Sequence, residues 1–255
     1  MGGAMLDGWL AAGLDPRRVT ILEPHPSTRL RGLEASGLSL NPETPGPPPS
    51  VLVLATKPQT LSASAAGFVP LVSPDTLVVS IIAGKTVADL TRVCPGARAI
   101  VRAMPNLPAS IGRGASGAFA NSGTSPDQRR IADALLSQVG LIEWVEDERL
   151  IDAVTAVSGS GPAYLFHLVE CLAEAGVAAG LDPAVAARLA RATVTGAAAL
   201  LDESGEDPAR LRENVTSPGG TTAAALDVLR SERGLAPLLR EAVLAARRRA
   251  GELSG

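Results

Sequence analysis

Apolar and polar positions follow two rhythms along this chain, and the change of rhythm divides it. In the first half, short apolar runs alternate with helix-like segments. Ser50-Val51-Leu52-Val53-Leu54-Ala55 is continuously apolar past its first residue, and Thr76-Leu77-Val78-Val79-Ser80-Ile81-Ile82 repeats the pattern. Runs without a polar face mark parallel strands buried on both sides. Ala99-Ile100-Val101-Arg102-Ala103-Met104 is a weaker third run, Gly117-Ala118-Phe119-Ala120 a fourth, and Val19-Thr20-Ile21-Leu22 a short β-branched one. Between them, Ala4–Ala12 reads as a helix stopped by Gly13, and Ser27–Ala35 as a helix stopped by Gly37. Asn41–Pro49 is proline-rich and reads as loop. Strands alternating with helices predict an α/β doubly wound parallel sheet.

From about Arg149 the strand rhythm stops. Ser160-Gly161-Pro162 opens a helix through Tyr164, Leu165, Leu168 and Leu172, whose apolar spacing is three to four. Asp182-Pro183 opens a second that continues to Leu201, Asp207-Pro208 a short third with Leu211 and Val215 on one face, and Ser217-Pro218 a fourth. Leu235–Arg249 is the last. Residues 1–148 are therefore expected to form the sheet domain and residues 149–255 an all-α domain, with Leu172 and Val194 in its core.

Composition sharpens this picture. The chain has 255 residues, 46% hydrophobic but only 2% aromatic, so its core must be built from small side chains and close backbone approach. The formal net charge is −3, and the one basic cluster, Arg247-Arg248-Arg249, lies where cations complement a helix C-terminus. Nucleic acid is not an expected partner. Two cysteines, Cys94 and Cys171, without CxxC spacing argue against a disulfide framework or a zinc site and read as core residues of a reducing compartment. No apolar run reads as long enough to span a bilayer, and the start lacks the features of a signal peptide. A soluble, cytoplasmic protein is expected.

The chemistry must come from few side chains. His25 and His167 are the only histidines, and His167 sits in an apolar helical pattern as a packed residue. No Ser-His-acid set, HExxH or metal-binding acid cluster is legible. What remains is a borrowed cofactor, hydroxyls and backbone amides. Gly2-Gly3-Ala4-Met5 precedes a helix, while Ala55-Thr56-Lys57-Pro58-Gln59 and Ala83-Gly84-Lys85 follow buried runs. Loops beyond the carboxyl ends of parallel strands line a ligand crevice, and together these favour a nucleotide site. The densest signal is Val215-Thr216-Ser217-Pro218-Gly219-Gly220-Thr221-Thr222. Its glycines open the backbone N–H groups at a helix start to an anion, and its threonines add hydroxyls. An ordinary capped turn needs one hydroxyl, not this concentration. Val157-Ser158-Gly159-Ser160-Gly161-Pro162-Ala163-Tyr164 is a second dense stretch, suited to close packing between domains.

Leu211-Arg212-Glu213-Asn214-Val215-Thr216-Ser217-Pro218-Gly219-Gly220-Thr221-Thr222, followed by Ala225-Leu226 and Leu229, resembles the signature of the pyrroline-5-carboxylate reductases. Ser158–Tyr164, Ala55–Gln59 and Arg102-Ala103-Met104-Pro105-Asn106 resemble that family too, in the right order along nearly the whole chain. The resemblance implies a Rossmann domain followed by a helical dimerisation domain, and reduction of 1-pyrroline-5-carboxylate to L-proline by hydride from NADP(H) or NAD(H), the last step of proline biosynthesis. It implies a homodimer, or a ring of dimers, with the active site near the dimer interface. Thr222 matches the threonine that orients the imine or passes a proton. Ser217, Gly219, Gly220 and Thr221 would hold the small anionic substrate, and Glu206 lies nearest the glutamate that contacts its amine. On the cofactor side the resemblance and the strand-end loops point to Gly2, Met5, Ala55, Thr56, Lys57, Pro58, Ala83, Gly84, Met104 and Asn106. An acid at the second strand end favours ribose hydroxyls, which is Glu23, while Ser27, His25 or Arg29 would receive a 2′-phosphate and Asn41 would lie near the adenosine. No metal is implied.

Family members begin with a strand and a GxGxxG turn, and Gly2 matches that turn's final glycine. The resemblance therefore implies on the order of ten further residues before Met1, and a central strand whose absence would leave its neighbours unpaired. A β-hydroxyacid dehydrogenase needs a catalytic lysine in its second domain, and the chain's only lysines, Lys57 and Lys85, lie in the first half. Outside enzymes, a non-catalytic folded dimer and a binder of proline-like ligands are also compatible with the sequence.

Overall fold

The computed structural model describes residues 1–44 and 46–254. Its residues separate into two units. One takes in Met1–Gly159 together with the chain from Ala246 on, and the other runs Ser160–Ala245.

The first unit is a three-layer α/β sandwich. Strands β3 (Val51–Leu54), β4 (Leu77–Ser80), β5 (Ala99–Met104), β6 (Gly114–Ala120) and β7 (Gly140–Trp144) form one sheet in chain order. β1 (Thr20–Ile21) and β2 (Ser39–Leu40) form a separate parallel pair. β4 shows why an unbroken apolar run makes a central strand: Leu77 and Val79 enter the core on one face, and Val78 enters the core on the other. Helices α1 (Gly2–Ala11) and α5 (Pro126–Leu136) cover the first face through Met5, Ala132 and Leu136. Helices α3 (Leu61–Phe68) and α4 (Val87–Val93) cover the second through Leu61, Phe68, Leu90 and Cys94. Helix α2 (Thr28–Leu33) starts at Ser27, whose hydroxyl accepts from the Leu30 N–H. Both tryptophans seat their rings in the core and satisfy their N–H groups, Trp9 on the Leu135 carbonyl at 2.7 Å and Trp144 on Asp133 at 2.8 Å.

Among the described residues the sheet falls into two pieces, β3 pairing with β4 only and β1–β2 standing apart, which agrees with the unpaired strand neighbours that the sequence reading expects. Two features differ from that reading. β6 is longer than expected and runs antiparallel to β5, because the connection of Pro105–Arg113 is too short for a crossover. β7 is a strand the sequence reading does not contain; its alternating exposed and half-buried positions carry a weaker pattern than a doubly buried run. The loop Asn41–Pro49 is irregular where described, and its Pro45 lies outside the described residues.

After α6 (Leu150–Val154) the chain makes a single π turn, Thr155–Gly159. The second unit then holds α7 (Gly161–Ala178), α8 (Pro183–Ser204), α9 (Pro208–Asn214), α10 (Thr221–Leu229) and the first part of α11 (Leu235–Ser254). The starts follow the sequence logic. Asp182 accepts from the N–H groups of Ala184 and Val185, and Asp207 from that of Ala209, each just before a proline at the first helical position. α10 begins at Thr221 rather than Ser217, because Ser217–Gly220 is spent on a turn closed by the Gly220 N–H on the Ser217 carbonyl at 3.0 Å.

The expected all-α core is not closed within one chain. Leu165, Phe166, Leu168 and Leu172 of α7 are exposed, with Phe166 at 57%. Cys171 is likewise exposed and not a core residue, and His167 is exposed beside Glu170, Nδ1 to Oε2 3.0 Å. α8 also overturns the expectation that no run could span a bilayer: it is long and apolar enough by length and composition, because alanine counts as apolar while making a surface helix.

Candidate functional site

The first unit brings several predicted residues to one edge of the sheet. β3, β4 and β5 are parallel and in register, Leu54 opposite Ser80 and Ser80 opposite Arg102, so the loops after them emerge side by side at the carboxyl end. The Ile81 N–H donates to the Leu54 carbonyl at 3.0 Å and extends the ladder into that edge. Gly2 joins it: a β-carbon there would lie 2.8 Å from the Ala55 Cβ, so the start of α1 abuts the loop after β3. Among the described residues no side chain caps α1, which leaves its first N–H groups as available donors. Met5 is fully buried under this edge and supports it from the core.

Thr56 supplies the test of fit for a dinucleotide. Its Oγ1 is enclosed and has no hydrogen-bond partner among the described residues. A buried hydroxyl left unmet is costly and marks a place where a polar group belongs. With the free amides of α1 and the loop at exposed Ala83 and half-buried Gly84, the edge has donors of the kind that a nucleotide's phosphates and nicotinamide amide require.

Other predicted cofactor residues are bound up in structure. Asn106 is 8% exposed; its Oδ1 accepts from the Ala115 N–H at 2.9 Å and its Nδ2 donates to the Ser158 carbonyl at 3.0 Å. It thereby ties the start of β6 to the π turn, a kind of helix irregularity that recurs at functional sites. Asn41 holds φ at +46°, and its amide closes a reciprocal pair with the Glu23 backbone, 2.8 Å each way. The Glu23 carboxylate turns back onto the His25 N–H at 2.9 Å. These contacts shape the turn beyond β1. Ser27 caps α2, and Arg29 pairs with Asp7. The side chains of Lys57 and Pro58 lie at the start of the next helical turn, Pro58–Thr60.

Arg102 enters the sequence reading only as part of a motif. It is a buried charge in an apolar strand, side chain 5% exposed, held by Glu148 at 3.0 Å and Asp152 at 3.6 Å. The signal is present in the sequence: an arginine inside a doubly buried run must find an acid. Its partners, far along the chain, are not legible there.

The second unit builds the other group. Gly219 takes φ +70°, which turns the chain so that Gly220, in extended conformation, caps α10 with no side-chain hydrogen bond. The first amides of α10 are therefore open, with Thr221 exposed and Thr222 half-buried directly on that first turn. Thr216 is spent on the Arg212 carbonyl at 2.6 Å, which fixes the entry to the turn, and Ser217 supplies the carbonyl that closes it. Glu206 is exposed before α9, its carboxylate accepting from Asn214 at 3.4 Å. An anion seated on these amides would have two hydroxyls beside it.

A family model described as pyrroline-5-carboxylate reductase dimerisation matches residues 148–253. The chain is 45% identical over 204 residues to a pyrroline-5-carboxylate reductase of Pseudomonas aeruginosa, covering 80% of this chain and 74% of that one. It is 42% identical over 262 residues to that of Synechocystis, covering 99% and 96%. Among solved structures, a pyrroline-5-carboxylate reductase of Coxiella burnetii aligns with a TM-score of 0.89 at 36% identity, covering 100% of this chain and 95% of that one. The NADP-bound enzyme of Plasmodium falciparum aligns at 0.79 and 24% identity over the same shares, a likeness of fold.

Proposed function

From a chain that belongs to the pyrroline-5-carboxylate reductase family, we infer how its own residues serve the family's reaction. The protein reduces 1-pyrroline-5-carboxylate to L-proline. When bound, NAD(P)H supplies the hydride.

The observation that carries the assignment of roles is the open start of α10. Its free amides and partial positive charge suit the substrate carboxylate, with Ser217, Gly219, Gly220 and Thr221 shaping the seat. Thr222 stands on the same turn, half-buried, with a hydroxyl that donates or accepts. It holds the imine nitrogen in position and relays to it a proton taken up from solvent, so that the reacting carbon is electron-poor when hydride is transferred. Glu206, steadied by Asn214, contacts the same nitrogen's side of the ring. At the sheet edge, Gly2, Ala55, Thr56, Lys57, Pro58, Ala83 and Gly84 hold the dinucleotide, with Met5, Met104 and Asn106 supporting them from beneath. Glu23, Ser27 and Asn41 frame the adenosine end. The apolar faces of α7, α8 and α11 that lie bare in one chain fit burial in a homodimer, or a ring of dimers. The protein works in the cytoplasm.

The test is steady-state oxidation of NADH and NADPH with 1-pyrroline-5-carboxylate by the wild-type chain and Thr222→Ala. Loss of one charge-assisted hydrogen bond in the transition state predicts a turnover about 10- to 100-fold lower with cofactor KM within about twofold. Equal losses in both would remove Thr222 from the chemistry.

A further inference from the structure

The buried charge in β5 has more to hold than itself. Arg102 extends from the face of β5 that carries Ile100, at the carboxyl end of the strand. Its Nη1 donates to Glu148 Oε1 at 3.0 Å, and the same oxygen accepts from the Val87 N–H at 2.7 Å. Val87 is the first residue of α4, so Glu148 fixes the far end of the loop that leaves β4. The Arg102 Nη2 donates to Ser254 Oγ at 3.3 Å, and Ser254 in turn donates to Asp152 Oδ1 at 3.3 Å. Ser254 belongs to the last turn of α11, and that turn lies against the same loop at Gly84. A β-carbon on Gly84 would stand 2.8 Å from the Leu253 carbonyl oxygen, and Gly84 already holds φ +69°. The carboxyl half of the loop Ile82–Lys85 is thus held by one cluster at two points: just beyond it at Val87 through Glu148, and within it at Gly84 through the backbone beside Ser254.

We propose that Arg102 is a positioning residue for the reductase reaction, setting the carboxyl half of the loop Ile82–Lys85 through Glu148 at Val87 and through the Leu253–Ser254 turn at Gly84. The inference rests on the cofactor role given to Ala83 and Gly84. A guanidinium is suited to the task because its planar fork reaches two partners in fixed directions and stays charged when buried. The carboxyl end of α11 thereby becomes part of the cofactor-side machinery.

The experiment compares Arg102→Gln, Glu148→Gln and Ser254→Ala in the full chain by steady-state kinetics and by hydrogen–deuterium exchange. Arg102→Gln is expected to raise the cofactor KM about tenfold while kcat stays within about threefold. Ser254→Ala, at the edge of the cluster, is expected to move KM the same way by about two- to threefold. In every variant that folds, exchange should quicken together in residues 82–87 and 250–254. A merely structural arginine would lower the unfolding midpoint and leave KM and exchange in 82–87 unmoved, and that result overturns the proposal. Should Arg102→Gln fail to fold, Glu148→Gln and Ser254→Ala decide by the same criteria. A wild-type chain that oxidises neither cofactor would overturn the reductase reading instead, and the exchange pattern would still decide this one.

Discussion

Gly117→Ala tests whether the packing beneath the site is as tight as the structure has it. Gly117 lies mid-way along β6, opposite Met104 of β5 and Glu143 of β7. An added β-carbon would come within 2.6 Å of both Val154 methyl carbons and 3.1 Å of its Cβ. Ordinary contact begins at 3.4 Å, so Val154 must retreat by close to an ångström or the sheet must bend. Overpacking of this kind costs about 2 kcal/mol. Val154→Ala alone removes both methyls from a half-buried position, at about 1 kcal/mol. In the double variant the new methyl fills the space the old ones left. The total should then fall near 1 rather than the additive ~3 kcal/mol, a coupling of about 2 kcal/mol. Urea unfolding followed by tryptophan fluorescence reads this out, because both tryptophans, Trp9 and Trp144, lie in the first unit. Additivity of the two single changes within about 0.5 kcal/mol would refute the reasoning. The clash bears on function as well. Val154 leads directly into the π turn whose Ser158 carbonyl accepts from Asn106, so Gly117→Ala should disturb the site where a distant overpacked residue would not.

Two further outcomes are expected. The Asp147 carboxyl is held down to about 2 by hydrogen bonds from the Arg149 side chain and backbone, so its contribution to stability is full above its unfolded value of 3.8 and lost as pH falls through about 2; Arg149→Ala should move its NMR titration midpoint back up toward 3.8, and an unmoved midpoint would break the attribution. Burial pushes the Cys94 thiol up, so in the folded protein at neutral pH it should resist iodoacetamide and react only in denaturant; labelling of Cys94 without denaturant, mapped by mass spectrometry, would contradict its burial at the end of α4.

What the sequence made legible was whatever one stretch of chain decides by itself. β3 and β4 could be read because burial on both faces excludes polar residues from the whole run. The helix starts at Asp182 and Asp207 could be read because a cap and a proline are adjacent residues. The α10 start could be read because its chemistry is backbone, and only glycine crowding exposes backbone. The direction of β6 could not be read. Its run Gly114–Ala120 is made of small residues that fit either orientation, and the length of the preceding connection decides the matter. The Arg102 cluster was hidden for a related reason: Glu148, Asp152 and Ser254 carry no local pattern, and only the fold assembles them. The bare apolar face of α7 looked like core because periodicity reports that a face is covered, not which chain covers it.

The scarcity of histidine then becomes a statement about mechanism. His167 lies on α7, its ring turned to Glu170 and Cys171, and His25 lies on the turn beyond β1 with its backbone N–H on Glu23. Neither belongs to the α10 start or the β3–β5 edge. If the proton reaches the imine through Thr222, no group of the enzyme with a pKa near neutrality takes part, because a hydroxyl does not titrate there. The dependence of kcat on pH between about 6 and 8 should therefore keep its shape in His25→Gln and in His167→Gln at saturating cofactor. A limb that disappears in either variant would place a histidine in the proton path and displace Thr222 from it. A profile that holds its shape leaves the hydroxyl at the α10 start as the group that manages the proton. The proton itself then comes from solvent, relayed by that hydroxyl, in a chain that has two histidines and two lysines.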